Sequence, residues 1–276
     1  MNSKCLHGTT LALILAMCAC SNGRGSLTDP SALPGETPPP SPPPSQPEPP
    51  PPPQAAAVGY WIGTFEPERG RDLGARALVT SAGDMHLIVS DRRDASSSPE
   101  FLVYGNVCCG ASIEAELQST RYLAGSAEDA RFRATVANDA MSGEVRIRGD
   151  DYRFTLTRTA PPTAPLTASD LAGTYTLTRT IFLGAGTTYT ITLDPSGELN
   201  GSHTNGCVYR GTAAIADPAY HLVKLDVQLS NCPISLTVGG STNGSYTGLG
   251  VLESDGRTFL HSLIGPTWLG QQPTMR

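Results

Sequence analysis

The chain has 276 residues, a formal net charge of −6 and an apolar fraction of 39%, enough for two modest cores. Its acidic balance, with Lys4 and Lys224 the only lysines, leaves no basic footprint for nucleic acid or anionic lipid. Long helical periodicity is absent; short alternating runs bounded by Gly, Asp-Gly, Asp-Pro and Asn-Gly read as strands and turns throughout.

Residues 1–19 read as a secretory signal. Lys4 supplies positive charge, and the apolar run over residues 11–19 is shorter than the roughly 20 residues that span a bilayer. It ends in Met17-Cys18-Ala19-Cys20, which resembles the lipobox of bacterial lipoproteins, although Met17 stands where leucine is usual. The small Ala19 suits the position before cleavage and the bulky Met17 does not, so Cys20 rather than Cys18 is the expected lipidated residue. The resemblance implies palmitate-type acyl chains and an outer-membrane destination, since Ser21-Asn22 puts no aspartate beside the cysteine. It leaves open whether the protein faces the periplasm or the exterior. Each buried methylene contributes about 0.8 kcal/mol, so several chains make a near-permanent anchor.

Residues 20–57 form a Pro-rich tether without the apolar content for a core. Proline fixes φ and removes the backbone donor, so the run at 38–53 is expected as extended polyproline II, reaching roughly 50 Å at about 3.1 Å per residue. A spacer is the natural use; a ligand for a proline-binding groove is the alternative.

Two all-β domains are expected next, at 58–160 and 163–276. Each is expected as a meander of antiparallel strands curled into a small barrel, with a β-sandwich as the alternative. An internal repeat is suggested by Gly59-Tyr60-Trp61 against Gly173-Thr174-Tyr175. The same spacing also joins Gly143, Asp150 and Phe154 on one side and Gly248, Asp255 and Phe259 on the other. Between the copies, Thr167 to Asp170 has a capping-box pattern that starts one helical turn. The clearest strand is 221–230, with Val223, Leu225, Val227 and Leu229 inward and Lys224, Asp226 and Gln228 wet. The plan is similar to the small lipocalin-like or transferrin-binding-protein-like barrels of other bacterial lipoproteins, which also open on a Gly-aromatic strand.

Four cysteines remain beyond the signal and Cys20. Pairing 207–215 with 221–230 around Asp217-Pro218 sets Cys207 near Cys232, and an exported compartment favours a disulfide between them. Cys108 and Cys109 are adjacent, and neighbours on a strand point to opposite faces. A vicinal disulfide, a bridge to Cys207, Cys232 or another chain, and no chemical role at all remain alternatives. His203, Cys207, His221, Cys232 and His261 match no zinc spacing, so no metal or cofactor is expected. Gly-x-Ser-x-Gly, His-Glu-x-x-His, phosphate-loop and calcium-loop motifs are all absent, and no catalytic residue is assigned. Asp150-Asp151 and Asp91-Arg92-Arg93-Asp94 read as turn charges, and Glu114 and Glu116 as a wet strand face.

The expected function is a non-enzymatic, membrane-anchored binding or structural module of the cell envelope, with no nucleic-acid partner. Alternatives are an inhibitor or immunity protein against a wall hydrolase or toxin, acting through the loops at 66–76 and 91–99, a carrier of a small apolar ligand inside a barrel, and an enzyme built across the junction.

Overall fold

The computed structural model describes residues 57–66, 73–91, 100–107, 110–121, 127–180, 186–233, 243–265 and 274–275. Eight strands form the first barrel: β1 (Gly59–Glu66), β2 (Leu73–Val79), β3 (Asp84–Asp91), β4 (Phe101–Asn106), β5 (Ser112–Arg121), β6 (Ala127–Ala137), β7 (Ala140–Ile147) and β8 (Asp150–Arg158). Each pairs antiparallel with the next, and β8 returns to β1 from Trp61↔Arg158 to Glu66↔Arg153, closing the sheet without an edge.

A connector carrying α1 (Ala168–Leu171) leads to the second barrel: β9 (Gly173–Thr180), β10 (Gly186–Leu193), β11 (Glu198–His203), β12 (Val208–Asp217), β13 (Leu222–Ser230), β14 (Gly244–Leu252), β15 (Thr258–Ile264) and the two-residue β16 (Thr274–Met275). It too is a closed meander, with β16 bridging β15 and β9. The chain is therefore two all-β barrels, and the sandwich alternative falls.

Strict alternation builds these sheets. On β6 every second residue from Ala130 to Val136 is buried and the intervening ones are exposed, because successive side chains point to opposite faces. Closure into so small a barrel needs sharp strand bends, and inward-facing glycines provide them. A Cβ on Gly63 would lie 1.9 Å from the Thr155 carbonyl oxygen, and one on Gly143 would lie 1.9 Å from that of Arg133. Only a residue without a side chain fits at either place.

Matching devices open the two barrels. Trp61 and Tyr175 each follow a positive-φ glycine by two residues, each is fully buried, and each donates to a carbonyl four residues back. The Trp61 indole N–H reaches Ala57 O at 2.9 Å, and the Tyr175 hydroxyl reaches Leu171 O at 2.7 Å. The capping box is present: the Thr167 hydroxyl accepts from Asp170 N–H while the Asp170 carboxylate accepts from Thr167 N–H.

Several expectations need correction. The equal Gly-Asp-Phe spacings do not mark equivalent positions. Gly143 and Phe154 face each other across β7 and β8, whereas Gly248 faces Leu263 across β14 and β15, one strand earlier in its barrel. His221 does not lie on a strand; it caps the 3₁₀ turn Pro218–Tyr220 in the left-handed conformation, φ 56°, and β13 starts one residue later. Asp150 and Asp151 begin β8 rather than forming the turn, which is made by Arg148 and Gly149.

Candidate functional site

Among the described residues, side chains pack closely across both barrel interiors. In the first, Phe132 and Phe154 stack with centroids 5.3 Å apart, and Phe65 meets Phe101 and Tyr152 at 5.0 and 5.5 Å. In the second, Tyr175 packs on Phe259 and Tyr189 stands edge-on to Tyr209, centroids 5.3 and 4.9 Å apart. His261 lies inside this barrel with Nε2 3.4 Å from the Tyr189 hydroxyl and no partner for Nδ1 among the described residues. Burial pushes its pKa down to about 4, and the same desolvation pushes the Tyr209 hydroxyl up to about 12. Among the described residues, three outer faces carry groups suited to recognition.

The first face joins the barrels. Tyr60, Leu78, Ile88 and Leu102 point outward from β1 to β4 and pack against Leu222, Leu249, Val251 and Leu260 of the second barrel. Polar contacts frame this apolar patch. The Tyr60 hydroxyl donates to Glu253 Oε1 at 3.1 Å, Lys224 Nζ lies 3.2 Å from Asp84 Oδ2, and Arg158 donates to the Tyr220 hydroxyl at 3.3 Å while stacking 4.5 Å over Trp61. His86 is buried on the same face with Nδ1 unpartnered among the described residues. Desolvation brings its pKa to about 4 against the opposing pull of Asp84.

Strands on this face are apolar on both sides. Runs of consecutive apolar residues at 77–79, 87–89, 101–103 and 249–252 except Gly250 break the alternation, and that was the available sequence signal for a strand covered on both faces.

The second face lies on β5 to β8 and is charged. In register across the strands run Glu114, Arg133, Glu144 and Arg153, with Glu116, Arg131, Arg146 and Asp151 beside them. Most neighbours close: Arg133 to Glu114 at 2.9 Å, Arg131 to Glu116 at 2.8 Å, Arg146 to Asp151 at 2.7 Å. A groove of about 340 Å³ crosses this face where β7 creases at Gly143, lined by Ser112, Glu114, Arg133, Ser142, Glu144 and Arg153 among others.

The third face, on β9 to β11, carries hydroxyls. Thr174, Thr176 and Thr178 stand opposite Thr192, Thr190 and Thr188, with oxygen separations of 3.1, 3.5 and 3.2 Å. A second hollow of about 330 Å³ lies between α1, the turn joining β10 to β11, and β12, but its one carboxylate, Asp194, already accepts from Ser196 N–H, Ser196 O–H and Glu198 N–H.

Cys207 and Cys232 form a disulfide across the open end of the β12 and β13 hairpin. Asn205 and Asn243 accept from the two cysteine N–H groups at 3.1 and 2.9 Å. His203 and His221 stand apart from His261 in the fold, and no group of three His, Cys, Asp or Glu side chains converges among the described residues. Cys20, Cys108, Cys109 and residues 1–56, which hold the expected signal and tether, lie outside the described residues, as do 67–72 and 92–99 of the two arginine-bearing loops; Ala57, expected as the last tether residue, is instead buried in the first core.

No family profile and no curated protein matches the chain. It is distantly similar in structure to the isotype 1 transferrin-binding protein B from serogroup B Neisseria meningitidis, at 8% identity, with a TM-score of 0.26, over 74% of this chain and 58% of that one. This chain thus matches little more than half the length of that structure. Function is read from this chain's own residues.

Proposed function

We propose that the chain is a non-enzymatic lipoprotein, held at the outer membrane through acyl chains on Cys20. A proline stalk carries the double barrel away from the bilayer, and the barrel binds an envelope or extracellular partner through its outer surface. The filling of both interiors carries this reading. A ligand inside either barrel would have to displace rings such as Phe132, Phe154, Tyr175 and Phe259, each no more than 2% exposed. Removing one such ring costs about 3–5 kcal/mol, more than a small apolar ligand recovers from the same space.

Two arms test the proposal. Cells fed an alkyne fatty acid should label the wild-type protein and leave Cys20→Ala unlabelled and released from membranes; equal labelling of the two would remove the anchor. Titration with a fluorescent fatty acid should show no saturable one-to-one binding. Stoichiometric uptake with a change in Trp61 emission would overturn the outer-surface reading in favour of a carrier.

A further inference from the structure

One cross-strand pair on the charged face of the first barrel is unlike its neighbours. Glu144 on β7 and Arg153 on β8 stand directly opposite each other, both exposed, yet they do not bond. The Arg153 side chain has no hydrogen bond or ion pair among the described residues, although Glu66 on β1 also stands opposite it and is exposed. Among the described residues Glu144 is reached only by Arg133 Nη1 at 3.8 Å, while Arg133 spends its Nε and Nη2 donors on Glu114 at 3.1 and 2.9 Å. The three comparable pairs on the same face, Arg133 with Glu114, Arg131 with Glu116 and Arg146 with Asp151, all close within 2.9 Å.

The open pair lines the groove, and the groove has a structural cause. The outside of a small barrel is convex, and a hollow there needs a crease, which Gly143 makes by pressing β7 onto the Arg133 carbonyl. The glycine sits one residue before Glu144 and directly across from Ala134, so crease and open pair coincide. Ser142 and Thr135, also opposite each other, add hydroxyls at the same place.

From this arrangement we infer that the groove is a binding site for a zwitterionic amino-acid group, whose carboxylate is taken by Arg153 and whose ammonium is taken by Glu144. A guanidinium offers a planar fork to a carboxylate, and a carboxylate accepts readily from an ammonium. A dianion would meet Glu114, Glu144 and, beside Arg153, Glu66, and a dication would meet Arg133 and Arg153; a ligand carrying both signs finds a partner for each. The source of such a group is a free amino acid or the diamino acid of a wall peptide. The inference rests on the reading of the chain as an outer-surface binding module and names its ligand class.

Ligand-observed saturation-transfer NMR on the full chain in detergent tests it, using 2,6-diaminopimelate and L-alanine as zwitterions, cadaverine as ammonium only and glutarate as carboxylate only. Transfer is expected to the zwitterions and not to the other two. A wall tripeptide ending in the diamino acid separates the sources: competition with free alanine at the same residues assigns the shared group. Glu144→Gln and Arg153→Gln should each weaken binding by about fivefold, the factor expected for one exposed charge-assisted bond, with unchanged melting temperature. Glu116→Gln, on the same face outside the groove, should leave binding intact. The exchange Glu144→Arg with Arg153→Glu should restore it, because a zwitterion can reverse. No transfer to any zwitterion, or transfer indifferent to both single variants, overturns the inference. In either case failure to take up a fatty acid still leaves the outer-surface reading standing, whereas fatty-acid uptake removes both.

Discussion

At Trp61 a single side chain joins three layers of the structure. Its indole is fully buried in the first core, its N–H satisfies the Ala57 carbonyl, and its face carries the Arg158 guanidinium 4.5 Å away. Trp61→Ala should therefore cost about 3–5 kcal/mol in chemical denaturation, and Tyr175→Phe, which loses the bond to Leu171 O, about 1 kcal/mol. Gly143→Ala puts a methyl against a backbone carbonyl that cannot swing aside, so a loss of about 2 kcal/mol or more is expected together with loss of the groove. The two buried histidines set the acid behaviour. Desolvation holds His86 and His261 neutral down to about 4, so between the unfolded value of about 6.5 and that point the unfolded chain binds more protons. Stability from these rings is complete above pH 6.5 or so and falls as the pH drops toward 4, a loss that His86→Leu should lessen in urea melts from pH 7 to 4.

Among the elements, the β12 and β13 hairpin shows most clearly how far the sequence could be read. Alternation from Val223 to Leu229 and the Asp217-Pro218 signal placed the two strands side by side, and that adjacency brings Cys207 to Cys232. Cys207→Ser with Cys232→Ser should lower stability by about 3 kcal/mol in the chain-entropy picture and should not change the far-ultraviolet strand signal. The one-turn helix was legible because its capping box is local, four residues reading one another. The equal Gly-Asp-Phe spacings misled because a turn consumes residues too. The β7 and β8 turn takes two residues between paired positions, Ile147 and Asp150. The β14 and β15 connection takes six, between Leu252 and Phe259, so equal intervals in sequence mark unequal places in the barrels. The open Glu144 and Arg153 pair was not legible either, since alternation places both outside but says nothing about which exposed charges meet.

For the whole molecule, the unforeseen feature is that the two barrels share an apolar contact face. Sequence periodicity identifies one buried face per strand, and the second appears only as runs where alternation lapses, such as Leu87-Ile88-Val89. Leu78 and Leu260 are fully buried there, so the pair should unfold in a single transition. Leu78→Asp, which buries an uncompensated charge, should split the calorimetric trace into two. In the proposed account the charged and hydroxyl faces meet the partner, with the acyl chains on Cys20 expected to hold them at the membrane. The measurement that tests this most directly is the mass of the detergent-extracted protein under native and then denaturing conditions. The expected result is one mass in both, equal to the chain from Cys20 plus its acyl groups. A heavier native mass, with a small apolar ligand lost on denaturation, would contradict the outer-surface account, and an unacylated chain would contradict the anchor.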